Sequence, residues 1–459
     1  MSRYAALVGV LLLVWASRGV AQFSGYFSTT YGYNSNPLYN YRQLSDRVAQ
    51  TYMQLGYEKE YENSILSLGY VNGVALFNQF GDRNYVEQSL LGRYKIVFWK
   101  TDDEETESSD EAQDDSTDEQ NGEADNQGSD STDAQSVATV QDMQTSALGL
   151  PAKDTVEQFD DSTNAYLDFG AKLSGRHDKS EHDEFDNYGG ELSSAYRMMI
   201  GENYFLRIAN GFSYRSYANI PDLSNIANAL LLQLGSRTNK SLDYGLDLLG
   251  GIRHYTRNVY DTTRFEPVRT YVEKPSGKGK LGGKIKVPSG KLLLTNSGTS
   301  TTYQLVFGAY MTKKWEQSSL GYSALFRISS KSPSRYIAQF TTNSTLSEDI
   351  YNDHFSYEGF ETFLVYTQKL PLEISAVLSL SLQKKKFGAP AYSLNGDEIA
   401  PKRKDLRSAI ELGVSRPFEL GQGFSLELSL EFGALRNQSN DDYSDFGTFN
   451  FGVGIGIGF

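Results

Sequence analysis

The 459-residue sequence predicts an all-β fold: a transmembrane antiparallel up-and-down β-barrel of about sixteen strands (roughly 14–18) with a disordered acidic insert. Three observations carry this reading. Apolar and polar residues alternate with period two over stretches of ten or more residues, as pleating requires. The connections between these stretches sort by parity into tight and long. The chain also ends on FNFGVGIGIGF, with Phe449, Phe451, Val453, Ile455, Ile457 and Phe459 on one face and Asn450, Gly452, Gly454, Gly456 and Gly458 on the other.

The N-terminus has the layout of a secretory signal peptide. Arg3 precedes an apolar stretch from Ala5 to Trp15, and small residues follow at Gly19 and Ala21, with cleavage expected after Ala21. The stretch is shorter than the ~20 residues of a spanning helix, and no later segment reaches ~18 consecutive apolar residues. Cysteine is absent, which excludes disulfides, thiolate metal sites and a lipidated cysteine. The choice narrows to a secreted soluble protein or a β-barrel.

The formal charge of −14 is a local property. Residues 101–152 hold sixteen Asp or Glu and no Lys or Arg, and the rest of the mature chain is close to neutral. The organisation expected is a signal peptide over 1–21, a first part of the barrel over 22–99, a disordered and solvated insert over 100–162, and the remaining barrel over 163–459. The insert lacks nearly all aromatics, so it cannot bury enough apolar surface to offset its chain entropy.

Within the barrel, FSLELSLEFGAL sets Phe424, Leu426, Leu428, Leu430 and Phe432 against Ser425, Glu427, Ser429 and Glu431. LEISAVLSLSLQ and SLDYGLDLLGGIR repeat the scheme; YFLRIANGFSYR and LGYSALFRI follow it less cleanly. The strands expected are 23–33, 48–60, 62–72, 85–99, 163–175, 187–200, 202–216, 227–238, 240–255, 301–314, 317–330, 356–369, 371–386, 405–418, 422–436 and 445–459, with 335–345 a further strand or part of a loop. Most reach the ~9–11 residues that cross a bilayer at a tilt. Even-numbered connections are tight, apart from the insert at the fourth; odd-numbered ones are long. An outer-membrane barrel has this asymmetry, short turns on the periplasmic side and long loops outside, which puts the insert in the periplasm. A secreted sandwich with one buried face per strand would also alternate, but strand length, loop parity and the terminal Phe favour the barrel.

The combination of a signal peptide, alternating strands of about ten residues, many tyrosines and a C-terminal aromatic resembles the integral outer-membrane β-barrels (porin-like) of Gram-negative bacteria. The resemblance implies residence in the cell outer membrane among lipid and lipopolysaccharide. It also implies recognition of Val453, Ile455, Ile457 and Phe459 by the barrel-assembly machinery. Tyr57, Trp99, Trp315, Tyr366 and Phe387 suit interface girdles.

The lumen-facing candidates are Arg197, Arg207, Arg215, Asp243, Asp247, Arg253, Arg327, Glu373, Glu411, Glu427 and Glu431. Opposed acids and arginines in a wide lumen produce a transverse field, as general porins do by resemblance. Sixteen strands enclose more space than side chains alone fill, since ~8 strands are already about filled. The function expected is passive passage of small polar solutes, with no cofactor. Two alternatives stand beside it: an assembly or secretion component handling a polypeptide, with the insert docking a periplasmic partner, and a structural or adhesive surface barrel. The loop Thr256 to Ser300 is basic and suits lipopolysaccharide phosphates, a constriction or plain solvation. Nucleic-acid binding is not expected, because the remaining surface is not basic. His177, Asp178, His182 and Asp183 match no metal-ligand spacing. Asp353, His354 and Ser356 are too close along one strand to converge, so no enzyme is expected.

Overall fold

In the computed structural model the described residues are 21–459, apart from 37–44, 101–162, 180–185, 220–223, 239–240, 257–264, 274–283, 293–300, 331–354, 394–396 and the single positions 202, 356, 389, 422 and 443. Apart from Ala21 and Lys100, which open the first strand and close the fourth, the expected signal peptide and acidic insert lie outside them, as does the candidate strand 335–345.

The chain forms β1 (Ala21–Asn34), β2 (Asp46–Tyr61), β3 (Ser64–Phe77), β4 (Tyr85–Lys100), β5 (Thr163–Asp178), β6 (Asn187–Ile200), β7 (Tyr204–Tyr217), β8 (Asn225–Thr238) and β9 (Leu242–Tyr255). After the hairpin β10 (Phe265–Glu273) and β11 (Lys284–Leu292) come β12 (Thr301–Lys314), β13 (Ser318–Ser329), β14 (Tyr357–Leu370) and β15 (Ile374–Phe387). A short hairpin, β16 (Ala391–Tyr392) and β17 (Glu398–Ala400), precedes β18 (Lys404–Gly421), β19 (Phe424–Ser439) and β20 (Phe446–Gly458). Sixteen of these strands close one antiparallel barrel in the order β1 to β9, β12 to β15, β18 to β20, with β20 back on β1; β10–β11 and β16–β17 are separate two-stranded sheets. The two small hairpins fall inside segments read from the sequence as loops.

The barrel closes through pairing of its first and last strands, and the pairing runs on to Phe459. β1 and β20 pair from Tyr26 opposite Gly458 to Asn34 opposite Asn450. Phe459 extends the seam, exchanging two backbone hydrogen bonds of 2.9 Å with Gly25. Its ring lies across Gly25, where an added Cβ would overlap it. Gly25→Val is therefore expected to cost about 1–3 kcal/mol through overpacking at the seam, read as a lower urea midpoint of the compact, heat-modifiable band on gels; an unchanged midpoint would contradict this packing.

The outward face is apolar. Ile208, Leu232, Leu248, Phe307, Phe326 and Phe360 are successive cross-strand partners on β7, β8, β9, β12, β13 and β14, and all are exposed. Val453, Ile455, Ile457 and Phe459 are likewise exposed on β20. Exposed aromatics ring both ends. Tyr61, Phe98, Tyr204, Tyr244, Trp315 and Phe424 stand near the short turns, and Tyr31, Tyr33, Tyr188, Tyr214 and Tyr303 near the long loops. In water such a belt would be strongly unfavourable; against acyl chains it is the favourable solvent boundary. With each of the sixteen barrel strands paired on both sides, the ring presents no edge to hydrocarbon, which is the condition for crossing a bilayer with strands. The architecture is that of a β-barrel integral to an outer membrane.

Phe387 departs from the girdle expectation. It is 3% exposed, on the inner face, with its ring 5.5 Å from that of Tyr357 and 4.3 Å from the Arg403 guanidinium. Its neighbours Lys384 and Lys386 take the outward positions of β15, so the apolar alternation reverses at that strand's end.

Side chains hold the described parts of the long-loop end. The Asp46 carboxylate accepts from the backbone N–H groups of Gln79 and Phe80 at 2.9 and 3.1 Å. Asp405 takes Arg403 together with Ser439 at 2.7 Å and Asn437 at 3.2 Å. Asp441, fully buried in the β19–β20 loop, accepts from Tyr392 N–H and from Ser444 Oγ. Burial pushes the Asp441 carboxyl up, opposed by the nearby Arg403.

Candidate functional site: the barrel interior

Because successive side chains alternate, the residues between the exposed apolar ones form the inner wall. On β6 and β7, Arg197 and Arg207 are direct cross-strand partners on this face, and the Arg197 guanidinium lies 4.2 Å from the Phe205 ring centroid. Arg215 follows nearer the long-loop end, opposite Gly189. On β9, Asp243 pairs with Lys314 at 3.1 Å, Asp247 stands between Gln233 and Gly308, and the Arg253 guanidinium is 4.4 Å from the Phe355 ring. Arg327 is on β13, Glu411 on β18, and Glu427 and Glu431 on β19.

Glu373 differs. It lies in the turn between β14 and β15, exposed, with φ of 59°, after Leu372 with φ of 66°. Two successive left-handed residues give the backbone twist that a tight hairpin requires, so the strand begins at Ile374 and Leu372 is a turn tip, not the first residue of the alternation. A non-glycine residue is strained there. Glu373→Gly is expected to raise stability by about 0.4–1 kcal/mol, read from the urea midpoint; a fall would contradict the turn geometry.

The most buried polar group of the interior includes residues that the sequence reading passed over. Arg327 Nη1 donates to Gln304 Oε1 at 2.7 Å, and Arg327 Nε lies 3.3 Å from Glu361 Oε1. The Tyr357 hydroxyl donates to the same carboxylate at 2.9 Å, and Lys385 Nζ sits 4.7 Å from the Tyr357 ring centroid. Arg327 and Glu361 are each 1% exposed. Buried this deeply, the two side chains serve as each other's counter-ions. Beside β6, Asp168 forms a bidentate pair with Arg93, at 2.6 Å to Nη2, and Lys95 Nζ lies 4.6 Å from the Tyr166 ring. At the rim Arg176 bridges Asp178 at 2.7 Å and Glu87 at 3.6 Å.

Next to these charges the wall is apolar. Ala195, Ala209, Ala229, Leu231, Leu249, Val306, Leu325 and Phe363 form one buried cluster on the inner faces of β6 to β9 and β12 to β14. On the far side of the ring, β18 and β19 carry Glu411 and Glu431, both exposed on the inner face, and Glu427, within 3.5 Å of the Tyr26 hydroxyl.

Among the described residues no three His, Asp or Glu side chains gather as metal ligands. His177 packs edge-on to Tyr188 at 5.3 Å and lies 3.8 Å from Asp186; His254 Nδ1 is 2.9 Å from Thr301 Oγ1. His182, Asp353, His354 and Ser356 lie outside the described residues, as do the side chains of β10 and β11 in the basic loop.

No family model and no curated protein matches the sequence. Solved structures do match over nearly the whole length. OccAB3 of Acinetobacter baumannii is 8% identical, with 96% of this chain and 99% of that one covered and a TM-score of 0.44. OprD of Pseudomonas aeruginosa is 8% identical, with 97% of each chain covered and a TM-score of 0.39. A bacterial polysaccharide outer-membrane secretin is 9% identical, with 95% and 97% covered and a TM-score of 0.39. At this similarity neither a solute nor any residue's role passes from those proteins to this chain.

Proposed function

We propose that the barrel is a passive pore for small polar solutes across the outer membrane. The observation that carries this reading is the exposure of Glu411 and Glu431 on the inner face of a closed sixteen-strand sheet, opposite outward residues that suit only lipid. Charged side chains on that face need water, and a ring of this many strands encloses more volume than its side chains occupy.

The acidic insert, between β4 and β5, leaves from the end that carries the short turns and both ends of the barrel sequence. On the usual asymmetry of such barrels this is the periplasmic end. We assign the insert a role outside conduction, as a solvated spacer or a docking segment for a periplasmic partner. Val453, Ile455, Ile457 and Phe459 are assigned to recognition by the barrel-assembly machinery, consistent with their place on the closing strand.

The test is single-channel recording in planar bilayers with the full mature chain and with residues 101–152 deleted. Stepwise ion conductance from both proteins is expected. Inserted, heat-modifiable protein without steps would contradict the pore, and loss of conductance on deletion alone would move the insert into the conducting machinery.

A further inference from the structure

The inner wall has two unlike halves. On one, centred on β6 to β9 and β12 to β14, side chains are closed off from solvent: Leu249, Val306 and Leu325 are 0% exposed, and Arg327 with Glu361 1%. In the closed ring β9, midway along this stretch, stands eight positions from β1, and the side that β18, β19 and β20 form with β1 faces it. Its inner face is built from small residues: Gly413, Ser415, Ser425, Ser429, Gly452, Gly454 and Gly456.

The glycines of β20 have a steric role here. A Cβ at Gly454 would overlap Ser429 Oγ, and one at Gly456 would overlap the Tyr26 hydroxyl. The bare strand lets its neighbours' side chains lie flat along the wall instead of projecting into the lumen. Glu411 and Glu431 stand on this thin wall. They are near neighbours, since Glu411 is opposite Gly433 and Glu431 opposite Gly413, and both are exposed. No ion pair to either is present among the described residues. The basic residue on the same inner face of β18, Arg407, lies toward the long-loop end, within electrostatic reach of Tyr357 in the buried group.

We propose that the conducting path is displaced from the barrel axis onto the β18–β19–β20–β1 wall, and that Glu411 and Glu431 on it set a preference for cations and cationic solutes. Water must follow the half of the wall whose side chains it can reach, and uncompensated carboxylates along a narrow aqueous path raise the local cation concentration. Of the other wall's arginines, Arg327 is neutralised by Glu361 and Arg197 is buried, while the half-buried Arg207, Arg215 and Arg253 stand across the ring from the two carboxylates. The proposal rests on the pore reading.

The chain contains no cysteine, so single introduced thiols can be modified selectively. Bilayer recordings under a potassium chloride gradient would compare the unaltered protein, the double variant Glu411→Gln/Glu431→Gln, and Ser429→Cys and Ala229→Cys treated with a positively charged methanethiosulfonate. The expected results are a reversal potential of the cation-selective sign, a shift toward zero in the double variant, and a conductance drop of about twofold or more on modifying Ser429→Cys with none for Ala229→Cys. Glu411→Asp/Glu431→Asp should keep the selectivity. Steps that are anion-selective, that keep their selectivity in the double Gln variant, or that fall on modifying Ala229→Cys but not Ser429→Cys would overturn this proposal alone. Inserted protein without steps would overturn the pore reading as well.

Discussion

Replacing Leu248 by arginine is expected to destabilise the inserted barrel by about 2–4 kcal/mol, the cost of a cation at the bilayer midplane on a barrel's lipid face. Leu248 sits midway along β9 and points outward, between Leu232 on β8 and Phe307 on β12. Its side chain is exposed, so in a water-soluble protein the same substitution would be nearly neutral or mildly favourable. The sign of the effect therefore reports which solvent wets the outer face. Urea midpoints of liposome-inserted protein provide the measurement, with Ser429→Arg on the inner face as the control expected to change the midpoint little. Equal effects at the two positions would contradict the assignment of faces.

Arg327→Met is expected to cost about 3–5 kcal/mol, because it leaves the Glu361 carboxylate buried without its cation. The pair is almost fully enclosed, with side-chain exposures of 0% and 1%, so water cannot replace the lost partner. The double variant Arg327→Met/Glu361→Leu should recover part of that loss. It leaves no uncompensated charge, although Gln304 and Tyr357 still lose hydrogen-bond partners. A double variant less stable than Arg327→Met would mean that the pair is reached by solvent or compensated by other groups.

Most of the fold was legible in the sequence because the bilayer imposes a strong pattern. Where one face meets lipid and the other small polar residues, as on β19 and β20, period two identifies the strand and its facing together. Strand limits agree to within a few residues on most elements; β6 and β12 span 187–200 and 301–314 in both descriptions. The pattern weakens where the interior is itself apolar. Leu230, Leu231 and Leu232 run consecutively because Leu231 joins the buried inner cluster while its neighbours point outward. Leu249 interrupts the alternation of β9 for the same reason. On β14, Phe363 and Val365 fill inner positions, which hid Glu361 and Tyr357, whose partner Arg327 lies on another strand. Such cross-strand networks depend on register, and register is not written in either strand alone. Glu373 was misplaced for a local reason: Leu372 continues the apolar alternation on paper but occupies a turn that most sequences would give to Gly or Asn.

Lipid contact along β20 is the most direct measure of the central claim, a closed sheet whose exterior is wetted by acyl chains. Single cysteines introduced from Phe451 to Ile457 would carry an environment-sensitive fluorophore, and quenching by spin-labelled lipids would be recorded in liposomes. Strong quenching is expected at Phe451, Val453, Ile455 and Ile457 and weak quenching at Gly452, Gly454 and Gly456, in strict alternation. Uniform quenching, no quenching, or the opposite alternation would contradict it.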